Sequence, residues 1–471
     1  MAHEENTSRL GHIITEVKKQ SWLLVPIIVS GVLEKLIQII SLSFVGHLGD
    51  LPLSAASMAA SISGITGMSI LMGMLNALDT LCGQAYGAKE YHLLGIYLQR
   101  AMLLNVVTCI PLAFVWPFAG KILHAIGQNE EISMAAQLYI RYMIPVLFAY
   151  GLIQCCYKFL QAQNIAFPMM LTSCFTILAH IFICWLLIIK WKIGYIGAVI
   201  ANSISYWLSL ILIASYVWFS SKVKETWTGF SKQASQDFSN TSKLAFTSAL
   251  MNCLDFWSFE VIFLMYGYLP NPKLETSVLA ISQNTSILTY MIPVGIGASL
   301  STRVSNELGA GNQQNARFAI YIAGTLAILE GVTRGCGWQK LGVFVNFSAY
   351  YIVGLPFAGL FAFYWHLKVK GLWLGIMCGL SIQLFLLLII TVFADWEKVA
   401  RKAVDRVNKS TVATGRITTM SDNPQADNFT ERGSTSGCGG MVTAMNDNPQ
   451  ADNSLSEEIQ ADNSLTNIEV F

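Results

Sequence analysis

Three observations predict an all-α integral membrane protein folded as a two-lobed helical bundle. Of 471 residues, 54% are hydrophobic and only 12% charged, about half the charged fraction of a soluble globular domain. Ten stretches carry the roughly 20 apolar residues that a helix needs to cross a bilayer. The chain also resembles itself at a spacing of about 220 residues. Helices rather than strands follow from the solvent, because in lipid a helix satisfies every backbone N–H and C=O within its own segment.

In chain order the stretches are 22–45, 55–78, 101–122, 134–159, 168–189, 193–219, 244–269, 278–300, 341–365 and 372–393. The first six make one lobe, residues 21–220. A polar linker, 221–243, leads to a shortened second lobe, 244–397, of about four helices plus one short helix. That short helix is 318–332, whose roughly 15 apolar residues are too few for an ordinary crossing. The opening segment, 1–20, is polar and mixed in charge and lacks the layout of a removable signal peptide, so the first apolar helix is expected to stay in the membrane.

Lys and Arg near helix ends set the orientation. Arg9, Lys18 and Lys19 precede the first stretch, Lys89 and Arg100 follow the second, Lys222, Lys224, Lys232 and Lys243 fill the linker, and Arg303 and Arg317 follow the eighth. Both termini are therefore placed in the cytosol, including the cluster Lys398, Arg401, Lys402, Arg406 and Lys409 that opens the tail 398–471. A full crossing by 318–332 would put that cluster outside, so this stretch is predicted not to span fully. From about Ser410 the composition turns polar, with DNPQADN repeated at 422–428 and 447–453; such a segment cannot offset its chain entropy by burial and reads as disordered.

The net charge of +1 gives no case for nucleic acid. Ten cysteines lie mostly in apolar stretches, with neither zinc-ligand spacing nor a disulfide framework, and read as packing residues. There is no Walker loop, zinc-ligand helix or nucleophile motif, so an enzyme is not expected and no cofactor is called for. Transport without a nucleotide site draws on an ion gradient, here protons in preference to sodium.

The internal likeness pairs the stretch opening at Gln84 with the one opening at Asn306, setting Gly87 and Ala88 over Gly309 and Ala310; FVGHLGDLPL pairs with LMYGYLPNP at nearly the same offset. Both copies run in the same direction. Agreement of the two offsets points to a transporter with a cavity between repeat-related lobes and makes Gly87 and Gly309 structural or gating candidates.

Asp255 and Glu260 stand in the middle of an apolar stretch, where a charge costs several kcal/mol unless it meets a partner or a wet cavity. Proton antiport needs such a carboxyl, for which proton and cationic cargo compete. Five positions apart, the two lie about 140° around a helix, so one faces the cavity and the other a neighbouring helix. Glu34 beside Lys35 suggests local neutralisation, with Gln38 one turn on at hydrogen-bonding spacing. Asp79, placed at the cytosolic end of the second helix, reads as a cap or a lobe-locking hydrogen bond. Asn202, Gln283, Asn284 and Tyr290 either line the route or bond across helices. Phe256 and Trp257 can stack on a planar cation or simply pack, and Pro26, Pro145 and Pro293 mark bends or static kinks.

The motifs FVGHLGDL at Phe44, LDTLCGQAYGAKEYHLLGIYLQRAM at Leu78, CLDFWSFE at Cys253, LPNPKLETSVLAIS at Leu269, RVSNELGAGN at Arg303, RGCGWQKLG at Arg334 and KGLWLGIMCG at Lys370 resemble, in order, the multidrug and toxic compound extrusion transporters, in particular their plant detoxification branch. The resemblance implies twelve helices in two lobes of six, and efflux of organic cations, alkaloids, flavonoid conjugates or organic acids in exchange for protons at the plasma or vacuolar membrane, by a chain taken to be monomeric. It matches Asp255 and Glu260 to acidic positions of the family's seventh helix, Asp255 standing where Glu is usual, and puts Thr247 where Pro is common. It also implies a deletion between Gly331 and Arg334: two spanning helices and their connecting loop, roughly 80 residues in all, are missing, and with them an acid of the second-lobe cavity. A truncated remnant that does not transport, or that associates with full-length relatives, is the alternative reading.

Overall fold

A computed structural model describes residues 2–125, 127–266, 272–323 and 326–414; the side chains of 2–14, 263, 264, 266, 272–285, 287, 322, 323 and 326–329 are outside that description. The repeated polar tail and the side chains of Gln283 and Asn284 therefore lie outside the described residues. Everything described is helix, turn or coil.

The helices, numbered along the chain, are α1 Ala2–Gly46, α2 Asp50–Gly87, α3 Tyr91–Ala125, α4 Glu130–Ala162, α5 Phe167–Lys190, α6 Tyr195–Phe219, α7 Phe238–Tyr266, α8 Pro272–Gly309, α9 Gln313–Ala323, α10 Leu326–Cys336, α11 Gln339–Tyr364, α12 Lys368–Phe393 and α13 Trp396–Ala413. Eight of them, α1 to α6 with α11 and α12, are long and apolar enough to cross a membrane. The other two expected crossings, 244–269 and 278–300, overlap α7 and α8, of 29 and 38 residues, with 267–269 outside the described residues. Helix α1 runs unbroken from Ala2, so the opening segment is helical and continuous with the first crossing.

Apolar packing follows the two-lobe division. One set of buried clusters joins α1 to α6, with Phe159, Leu94 and Trp116 at its heart. Separate clusters join α8, α9, α10 and α13, and α7, α11 and α12. Helix α13 belongs to both lobes: Val407 packs into the first, while Trp396, Ala400 and Ala403 pack into the second. Its start is fixed by Asp395, whose carboxylate accepts from the Lys398 amide at 3.0 Å.

The marginal stretch forms two helices where one was expected. Helices α9 and α10 have 11 residues each, about 16 Å at 1.5 Å per residue and roughly half the hydrocarbon thickness. Ala316 and Ala319 of α9 and Val332 and Cys336 of α10 all pack into one cluster with α13. The chain therefore enters the bundle and returns to the same end, which is the geometric requirement for leaving α13 beside the start of α9.

The two lobes close on each other at that end. A Cβ on Gly87 would overlap the backbone oxygen of Asn306, and one on Gly309 the backbone oxygen of Gln84, so α2 and α8 cross with their backbones in contact. Around this crossing Arg303 pairs with Glu16 at 2.9 Å, Asn306 Nδ2 donates to the Ala162 carbonyl at 3.2 Å, and Ser299 Oγ to the Gln20 carbonyl at 3.3 Å.

Candidate functional site

Polar side chains deep in an apolar bundle persist only when partnered or open to a cavity, so the buried polar groups trace the functional core. In the first lobe Glu34 accepts from Gln154 Nε2 at 3.1 Å. Gln38 turns to the Met68 sulfur at 3.8 Å, which replaces the one-turn Glu34–Gln38 pairing expected from spacing. Asn202 is buried, its Oδ1 accepting from Ser41 at 3.0 Å. The same hydroxyl meets His180 Nε2 at 3.0 Å, and Ser205 meets His180 Nδ1 at 2.9 Å. Gln38, Ser41, Tyr139, Asn202 and Tyr206 line a void of about 20 Å³, room for a single water.

Of the two roles expected for Asp79, a cap or a lobe-locking hydrogen bond, the contacts match the second. Asp79 lies in the first turn after a break at Asn76 and makes no cap; its carboxylate takes the Lys158 ammonium at 2.8 Å, both groups almost wholly buried. Gln161, at 3.5 Å from the same carboxylate, also donates to Thr302 Oγ1 at 3.0 Å and the Ala298 carbonyl at 3.1 Å. The Asp79–Lys158 pair of the first lobe is thereby tied to α8 of the second.

In the second lobe Asp255 is buried at 8% exposure, and its Oδ1 has no hydrogen-bonding partner. Glu260, one and a half turns further along α7, is half-buried, with no hydrogen bond to its carboxylate among the described residues. Phe256 and Trp257 are partly exposed, and the Trp257 indole donates to the Ile65 carbonyl of α2 at 3.2 Å. Thr247 bonds its own helix, at the Lys243 carbonyl. Tyr290 shares the electrostatic surroundings of Asp255, Glu330 and Arg334, and 46% of its surface stays open. Pro26, Pro145 and Pro293 lie inside α1, α4 and α8.

Residue-by-residue reading overlooked the charges that organise this core. Arg334 pairs with Glu330 at 2.6 Å within α10, and both stand in the field of Asp255. The signal was present: opposite charges four positions apart in a half-length apolar helix. Lys158 likewise sits in the apolar run 134–159, where an unpaired ammonium would be costly.

The end of α10 is stitched to α2. Thr80 Oγ1 donates to the Arg334 carbonyl, Gln84 Nε2 to the Gly335 carbonyl at 3.2 Å, and Gln339 Nε2 to Thr80 Oγ1 at 2.8 Å. Arg406 of α13 reaches Gln84 Oε1 at 2.5 Å, passing over Gly337, whose φ of +79° suits glycine. A charge-assisted hydrogen bond of this kind contributes about 1.5–3 kcal/mol. Arg406→Ala is therefore expected to lower the melting temperature of detergent-solubilised protein by a few degrees; an unchanged melt would show that α13 holds by apolar packing alone.

Two repeat-related helical lobes meeting around buried acids define a membrane transporter. The chain belongs to the MatE family, the multidrug and toxic compound extrusion transporters, whose members are transporters and not enzymes. The family matches residues 26–186 and 247–330. The starting points of the two matches are offset as the internal repeat is, but the second match, ending at Glu330, is only about half as long as the first.

Among relatives, Protein DETOXIFICATION 17 of Arabidopsis thaliana is 44% identical, covering 86% of this chain and 96% of its own. Protein DETOXIFICATION 16 of the same plant is 46% identical, with 84% and 92% covered. The crystal structure of the eukaryotic MATE transporter AtDTX14 superposes with a TM-score of 0.80 at 36% identity, over 84% of this chain and 99% of that one. The alignment to the first relative runs over 457 positions yet uses about 405 of the 471 residues here. About 50 positions of the relative thus have no counterpart. That total is smaller than the roughly 80 missing residues that the resemblance implied.

Proposed function

We propose that the chain exports organic cations or planar secondary metabolites in exchange for protons by alternating access between its lobes. Efflux transport is the family's activity; cargo and coupling ion are read from the site. The observation that carries the reading is Asp255, a buried carboxyl with an unpartnered oxygen on α7 of the second lobe. A proton and a monovalent cation are alternative neutralising partners for such a group, and exchange of one for the other couples two gradients. Glu260, about 7 Å further along the helix axis and less buried, suits a role at the mouth. Glu34, Gln38 and Asn202 offer a second polar station in the first lobe, and Asn284 a further polar position on α8.

The sealed end, with Gly87, Gly309, Asp79 and α13, is assigned to the cytosol because the basic residues cluster there. Unsealing it requires α2 and α8 to part, with Pro26 and Pro293 as bending points. The protein acts as a monomer in the plasma or vacuolar membrane.

Proton-gradient-dependent efflux of a fluorescent organic cation from cells expressing the chain tests this, with surface abundance matched. Glu260→Gln is expected to reduce efflux several-fold, and a form carrying the missing segment should be no better than about twofold more active. Efflux seen only in the restored form would instead identify the chain as a non-transporting member, a reading favoured by the early end of the second family match.

A further inference from the structure

Helix α10 spans the point at which the second family match ends. The second family match stops at Glu330, and the RGCGWQKLG motif resumes at Arg334. Across that boundary α10 carries Glu330 and Arg334 at a spacing of four, where they pair at 2.6 Å. Asp255 lies in the electrostatic field of both members of the pair. Gly342 of α11 lies between Met251 of α7 and Thr333 of α10, both close to where its Cβ would stand. One turn further from the sealed end, α7 presents Asp255 and α10 presents Glu330. Arg334 is buried, and its Nε, like Asp255 Oδ1, has no partner. The other charges near this point, Asp79 and Lys158, neutralise each other.

We propose that Arg334 sets the charge of the cargo accepted by the second lobe. Glu330 supplies a second acid beside Asp255, and Arg334 cancels one of the two, so the site carries a single exchangeable negative charge. The inference rests on the cation-efflux reading and adds a valence to it: monovalent organic cations are taken, divalent ones are not. Removing Arg334 leaves two acids and a site for a dication. Removing Glu330 instead frees Arg334 to satisfy Asp255 and leaves no charge for cargo. Removing both restores one.

Binding to the purified full chain in detergent tests the series, with tetraphenylphosphonium as monocation and methyl viologen as dication, and size exclusion and melting temperature to verify folding. Arg334→Gln should shift preference toward methyl viologen by about tenfold or more, as one uncompensated charge in a partly desolvated site implies. Glu330→Gln should weaken tetraphenylphosphonium by a similar factor. The Glu330→Gln/Arg334→Gln double variant should return to the parent preference, which the simple loss of a stabilising helix pair would not produce. If the parent binds tetraphenylphosphonium and folded Arg334→Gln leaves the ratio within about twofold of the parent, the valence proposal falls and the cation reading stands. If no form binds either cation, both fall.

Discussion

Asp255→Asn is expected to reduce proton-driven efflux of a monovalent organic cation by at least about tenfold at matched surface abundance. The carboxylate is buried with an oxygen that no donor satisfies, an arrangement that costs several kcal/mol in an apolar bundle and yields nothing structural in return. Asparagine keeps the shape, removes the charge and is expected to leave the melting temperature the same or raise it. Loss of efflux with gain of stability is the signature of an acid kept for exchange. If the variant instead melts lower and transports normally, Asp255 is a structural group. In the proposed exchange cation and proton compete for one carboxylate, so lowering the pH on the loading side should weaken cation uptake by the parent and have no such effect on residual transport in the variant.

Lys158→Met is expected to have the largest effect on folding. Breaking a buried ion pair by removing one partner costs about 3–5 kcal/mol, because the remaining charge stays buried without compensation, and Asp79 here is 3% exposed. The single variant should lose most of its surface abundance and melt well below the parent. Asp79→Asn/Lys158→Met should recover most of that loss, since the neutral pair keeps the volume and Gln161 can still bond across to Thr302. A double variant as unstable as the single one would show that the Asp79–Lys158 contact is not what holds this crossing.

The crossings were legible because lipid imposes one simple demand, an apolar run of sufficient length, and α1 to α6, α11 and α12 meet it in their own residues. The half-length stretch was legible for the same reason in reverse: 318–332 is too short, and α9 and α10 together turn back where a crossing helix would go on. Individual polar contacts were much less accessible. Gln38 was assigned to Glu34 from helix spacing, but the contact that won is with Met68, thirty positions away. Asp79 could be read as a cap or a lobe-locking group but its partner could not be named, because that partner is on another helix 79 positions away. Glu330 and Arg334 carried a readable spacing, yet their setting depends on how α7, α10 and α11 pack, with Met251 and Thr333 meeting at Gly342. Periodicity and length are properties of one segment, whereas a charge network is a property of several.

The hairpin of α9 and α10 reaches about 16 Å into a layer roughly 30 Å thick. A half-depth hairpin sets no length for the bilayer to match, so the second lobe is tuned to membrane thickness by its crossing helices α11 and α12 alone among the described apolar crossings.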